Sequence, residues 1–318
     1  MEEKQINKWL RRRFSPVGWA LVGYYGVMNI LVLAAVFGDI LTQYLRAFAA
    51  GNFLVYPDMD ATAGNAWGYL LAIAVGFVIL HAWKGPDYWK GEILVKEKPM
   101  NLGTFACMLC LCAGSQMVNS LWVSVLEVIL NSFGLSALGI LDSVSGDSDT
   151  FSMFVYMAFL APISEEVFFR GFVLRTLKPF GKRFAIFGSA VLFGLFHGNL
   201  LQTPYAFLMG LVLGYVTVEY SIGWAVALHM FNNLVLADLL TRLTAGLSEM
   251  AVSVINLGIF GAAFAAGTAI LIVKRREVRA YSRSEWMDRR VLKCFFLNSG
   301  VIVLTVMMVL NMIAMLFV

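Results

Sequence analysis

Residues 151–177 read FSMFVYMAFLAPISEEVFFRGFVLRTL. The stretch is long and apolar enough to cross a bilayer as a helix, for which about 20 residues suffice. Yet it carries Glu165, Glu166 and Arg170 near its middle. A charge at mid-membrane costs about 2.5–3.5 kcal/mol on insertion scales, so three of them must be compensated or put to use. Helix geometry divides the three. Glu166 and Arg170 are four residues apart, share a face and have the glutamate on the N-terminal side, the better order for an ion pair. Glu165 points about 100° away from Glu166, with Phe169 as its own four-residue neighbour. It has no local cation and calls for a partner on another helix, or for water.

The rest of the chain places this stretch in a membrane protein. Of 318 residues 60% are hydrophobic and only 14% charged, and long apolar runs recur throughout. Candidate spans are 17–37, 66–83, 102–133, 151–177, 184–198, 203–220, 223–240, 251–273 and 295–318, giving an all-α polytopic fold of about nine transmembrane helices around a four-helix core. The first run follows Lys8, Arg11, Arg12 and Arg13 and reads as a retained helix rather than a cleaved signal. Threaded from a cytoplasmic N-terminus, the nine spans put 21 of the 24 Lys and Arg on one side, in the segments 4–13, 84–98, 175–183 and 274–293. The other side is acidic, as in LDSVSGDSDT at 141–150.

This sidedness accounts for the net charge of +4 without a nucleic-acid partner, and the basic stripe suits anionic lipid. Three of the four cysteines, Cys107, Cys110 and Cys112, fall in one span, where thiols act as small apolar groups rather than a disulfide framework. Residues 40–56 have the apolar pattern of an interfacial helix, and 274–293 reads as a solvated basic loop. The chain thus divides into an N-terminal membrane region with three helices (1–150), a core carrying the polar motifs (151–240) and a C-terminal pair of helices with the basic loop (241–318).

Only three histidines occur, and two follow Glu165 on later spans. His197 ends FGLFHG, with Phe193 one turn before it; His229 opens HMFNN, with Asn232 and Asn233 three and four residues on. Taken singly, each is an ordinary interhelical hydrogen-bonding group. Counting about 1.5 Å per residue from the inner helix ends, Glu165, His197 and His229 fall within about 10 Å of one another in depth. A carboxylate in an apolar site can take a proton from water while an imidazole holds that water. A second imidazole beside an amide supplies donors for a developing oxyanion. His81, at an inner helix end beside Trp83, reads as an interfacial side chain, and Asp238 as a cap or interfacial residue.

These residues resemble the CPBP family (CAAX protease and bacteriocin-processing, Abi/Rce1-type) of intramembrane glutamic endopeptidases. The family pattern Glu-Glu-x-x-x-Arg, Phe-x-x-x-His and His-x-x-x-Asn appears here as Glu165-Glu166…Arg170, Phe193…His197 and His229…Asn233, in order and within about 70 residues. The resemblance implies that Glu165 and His197 activate the water and that His229 and Asn233 form the oxyanion hole. Glu166, Arg170, Phe193 and Asn232 are then supporting residues. It covers about 151–240 and leaves the substrate undefined beyond a membrane-bound peptide or protein.

No cofactor is expected. Glu165, His197 and His229 also form the ligand set of a hydrolytic zinc site, however, so a divalent metal stays open, although His-Glu-x-x-His is absent. The alternative class is a non-catalytic scaffold or bacteriocin-immunity protein that regulates a sensor kinase or cell-envelope enzyme. A proton-coupled transporter fits less well, because no repeated halves with broken helices are visible. Short loops suggest a bacterial plasma membrane, and the oligomeric state is undetermined.

Overall fold

The computed structural model describes residues 3–52, 56–59, 62, 64–136, 150–284 and 288–317. Helix α1 (Glu3–Ala49) is 47 residues long, about 70 Å at 1.5 Å per residue, and so exceeds a hydrocarbon layer of about 30 Å at one or both ends. The expected interfacial helix does not form separately: up to Ala49 its residues continue α1, because nothing there breaks the helix, and residues 53–55 lie outside the described part. Next come α2 (Trp67–Lys84), a short helical turn at 86–93 and α3 (Leu102–Asn131). Helix α4 (Phe151–Phe180) carries the opening stretch. Then follow α5 (Lys182–Phe196), α6 (Thr203–Glu219), α7 (Ile222–Thr244) and α8 (Glu249–Val273). The chain closes with α9 (Arg275–Ser284), α10 (Arg289–Phe296) and α11 (Ser299–Ala314).

Helices thus lie at all nine expected places, and the protein is an all-α polytopic membrane fold. Among the described residues seven helices are long and apolar enough to cross a membrane. The other two, α5 with 15 residues and α6 with 17, are shorter. They are also the most inward-facing: Phe184, Ala185, Ala190, Leu192, Met209 and Leu213 are buried against their neighbours. By contrast α8 exposes Met250, Val254, Leu257, Phe264 and Leu271, as a helix bathed in lipid does.

Helix starts follow local chemistry. Side chains of Asn101, Thr150, Ser221, Ser248, Asp288 and Asn298 accept from backbone N–H groups two or three residues on, satisfying donors that the helix itself cannot. Gly181, at φ +119°, turns the chain between α4 and α5. The segment expected as a basic loop is helical over most of its length, as α9 and α10. The acidic segment expected at 141–150 falls almost wholly outside the described residues.

Two ends of the chain meet around the core. Gly18 of α1 sits on Gly300 at the start of α11 so closely that a Cβ there would lie 2.3 Å from the backbone, the close approach that small residues permit in membrane helix pairs. Phe14 packs edge-on to Phe180 at 4.9 Å and to Phe295 at 5.4 Å, tying α1 and α10 to the end of α4. Helix α3 lies against α8, with Gly114 at the backbone of Phe264.

The four basic segments come together at one end of the bundle. Glu219 meets Lys98 at 3.2 Å, Lys182 at 3.1 Å and the Tyr281 hydroxyl at 3.2 Å. Glu97 meets Lys178 at 2.7 Å and Arg175 at 3.7 Å, and Arg290 lies 3.8 Å from Glu3. His81 is exposed near this end, its ring 6.3 Å from that of Trp89. At the other end Asp238 forms an ion pair with Arg242 one turn on, at 2.9 Å, rather than a cap.

Candidate active site

Helix α4 places Glu165 and Glu166 midway along its 30 residues. Glu166 and Arg170 are fully buried and paired at 3.0 Å along one face, as their spacing requires. The guanidinium also lies 4.2 Å from the centroid of the Phe193 ring, and its Nη2 donates to the Gly210 carbonyl at 3.5 Å. Burying two charges is tolerable only when each finds such partners. The pair is not self-contained. The Glu166 oxygen that meets Arg170 also lies 2.9 Å from Nδ1 of His229. The reason is that α7 packs directly on this part of α4, and a carboxylate oxygen has capacity for more than one donor.

Glu165 faces elsewhere. Its side chain is 29% exposed, and its Oε2 lies 3.7 Å from Nε2 of His229. This distance is too long for a direct hydrogen bond. His229, itself buried, therefore stands between the two neighbouring carboxylates, one on each ring nitrogen. Tyr24 of α1 and Tyr156 of α4 are within electrostatic reach of Glu165. Tyr24 stacks on Phe168 at 4.1 Å and Tyr156 on Tyr69 of α2 at 4.8 Å. Sequence reasoning did not single these tyrosines out. They lie in no motif, and nothing in a helix's own periodicity announces which distant carboxylate it will meet.

His197 closes the C-terminal end of α5, half-buried. Its Nδ1 is 2.9 Å from the carbonyl of Phe193. A carbonyl only accepts, so Nδ1 carries the proton of the neutral ring and Nε2 keeps its lone pair. Phe193 joins the two histidines, meeting His197 edge-on at 5.0 Å and His229 edge-on at 5.8 Å. His197 has no ion pair with either glutamate among the described residues.

The two asparagines lie one turn beyond His229, where α7 becomes a π-helix over Asn232–Leu239. Asn232 is buried and accepts from the Tyr205 hydroxyl of α6 at 2.5 Å. It donates to Asn233 at 3.1 Å, and Asn233 donates to the main-chain carbonyl of Met157 at 3.0 Å. Tyr205 is a further residue that the motifs did not reveal.

The structure therefore gathers Glu165, Glu166, Arg170, Phe193 and His229 tightly. His197 is linked through Phe193, and the Asn pair is held by α4 and α6. Among the described residues no three His, Cys, Asp or Glu side chains converge closely enough to hold a metal ion. Glu165, His197 and His229 do not form a ligand set in this arrangement. Cys112 of α3 is buried among Met209, Leu213 and Leu228, near the Glu166–Arg170 pair, as a small apolar side chain.

A polytopic helical bundle with buried, cross-braced Glu and Arg on α4 and His on α7 defines an intramembrane polar site. Residues 147–235 match the family model described as type II CAAX prenyl endopeptidase Rce1-like. The matched segment holds all eight candidate residues. Helices α1–α3 and α8–α11 lie outside it. No curated protein and no solved structure matches the chain.

Proposed function

We propose that the protein is an intramembrane endopeptidase that hydrolyses a peptide bond in a membrane-bound peptide or protein, with its basic end on the cytoplasmic side. The observation that carries this reading is Glu165: partly open, without a Lys or Arg partner among the described residues, and facing the one ring nitrogen of His229 that Glu166 leaves free.

Glu165 takes a proton from water as the water oxygen bonds to the scissile carbonyl carbon, and His197 Nε2 orients that water. The carbonyl oxygen becomes an oxyanion. His229, in its doubly protonated form, offers Nε2–H to it while Glu166 holds Nδ1, and the Asn233 amide supplies a second donor. Collapse breaks the C–N bond, and Glu165 returns its proton to the departing amine. The buried Arg170 fixes Glu166 and so the imidazole plane.

The test uses purified protein in lipid vesicles with a panel of fluorescence-quenched peptides, a prenylated CAAX peptide among them. Cleavage by the wild type that is lost in Glu165→Ala and in His197→Ala supports the reading. Equal cleavage by those variants overturns it, and so does a wild type that cleaves none of the panel.

A further inference from the structure

The Asn233 amide is held in place by a chain of hydrogen bonds whose origin is a proline in another helix. In an α-helix the carbonyl of Met157 accepts from residue 161, and in a π-helix from residue 162. Residues 156–160 are π-helical, and Ala161 gives its N–H to Tyr156. Residue 162 is proline and has no N–H to give. The Met157 carbonyl is thereby denied both intrahelical donors, and within a membrane-spanning helix a carbonyl left unpaired toward hydrocarbon is costly. It is satisfied from across the bundle, by Asn233 at 3.0 Å.

The other side of Asn233 is held as firmly. A side-chain amide has one acceptor oxygen and two N–H donors. The Tyr205 hydroxyl donates to Asn232 Oδ1 at 2.5 Å, so the Asn232 NH2 group points onward to Asn233 Oδ1 at 3.1 Å. With its oxygen taken by Asn232 and one N–H taken by Met157, the Asn233 amide cannot flip, and it keeps one N–H.

We propose that Tyr205 and Asn232 are positioning residues, which with the Met157 carbonyl freed by Pro162 lock the Asn233 amide so that its remaining N–H is aimed at the developing oxyanion. This rests on the proposed endopeptidase reading, in which Asn233 is an oxyanion donor. In this role Tyr205 and Asn232 act through Asn233 rather than on substrate. Their effect falls on the transition state, where the donor's aim matters, and not on substrate binding.

The experiment combines kinetics on whichever quenched peptide the wild type cleaves with the side-chain amide 15N spectrum of the vesicle-embedded protein labelled at asparagine. The Asn233 signal is assigned by its loss in Asn233→Asp. In Tyr205→Phe and Asn232→Asp the expected result is a shifted Asn233 signal and a kcat lower by about ten- to a hundred-fold, the scale of a misplaced catalytic group, with KM unchanged. Pro162→Ala, which returns an N–H to the Met157 carbonyl, shifts the same signal and lowers kcat. It serves where Tyr205→Phe fails to fold, as judged by its unfolding midpoint.

An unmoved Asn233 signal in these variants overturns the proposal. So does a moved signal with unchanged kcat while Glu165→Ala is inactive, a result that leaves the endopeptidase reading standing. Undiminished cleavage by Glu165→Ala itself sinks that reading and takes the positioning role with it.

Discussion

Nδ1 of His229 lies 2.9 Å from the Glu166 oxygen that also pairs with Arg170 at 3.0 Å. One buried carboxylate therefore serves as both counter-ion and imidazole anchor. Glu166→Ala leaves Arg170 buried without its partner, and we expect a loss of about 3–5 kcal/mol in unfolding free energy measured in micelles. The double variant Glu166→Leu/Arg170→Met should recover most of that stability, since apolar replacement of a whole buried pair is often neutral. It should nevertheless stay inactive because His229 has lost its anchor. Glu166→Ala as stable as wild type would contradict the arrangement.

Glu165 is expected to behave in the opposite way. With a partly open side chain and its nearest partner at 3.7 Å, it contributes little to folding. Glu165→Gln should change stability by less than about 1 kcal/mol yet lower kcat by at least about a hundred-fold, as removal of a proton-transferring group does. Paired unfolding and cleavage measurements on the Glu165 and Glu166 variants check the contrast between the two neighbours.

At the crossing of α1 and α11, Gly18→Val forces a side chain into the Gly300 backbone, 2.3 Å from where its Cβ would sit. The helices must separate, at a cost of about 1–3 kcal/mol or more. Gly23→Val, at a position with open space around it, is the control on the same helix. Equal unfolding midpoints for the two variants would show that the close crossing does not hold the termini together.

Acid should loosen the basic end. The hydrogen bond from Lys178 holds the Glu97 carboxyl below its ordinary range, with the charges of Lys178 and Arg175 adding to the effect. A group whose folded pKa is depressed contributes stability that is present above its unfolded value, about 4.3 for glutamate, and lost as pH falls through the lower folded value. The difference in unfolding midpoint between wild type and Glu97→Gln should therefore shrink from pH 7 toward pH 4 and below. Because Glu97 is partly exposed, the effect is small. A difference that grows on acidification would contradict the pairing.

The sequence by itself determined the class of fold. Long apolar runs, basic segments on alternate turns and polar motifs on three core spans follow from the cost of exposing charge or backbone in hydrocarbon. The pairing of Glu166 with Arg170 was legible too, because a four-residue spacing fixes neighbours within one helix. What lies between helices was not. That His229 stands between both glutamates, that Tyr24 of α1 stacks on Phe168 of α4, and that Tyr205 steadies Asn232 all depend on how separate helices rotate and cross. Periodicity gives a helix a face but does not name what the face meets. Pro162 shows the boundary most clearly. The residue is plain in the sequence, and its missing N–H is elementary chemistry, but only tertiary packing supplies Asn233 to the carbonyl left without a partner.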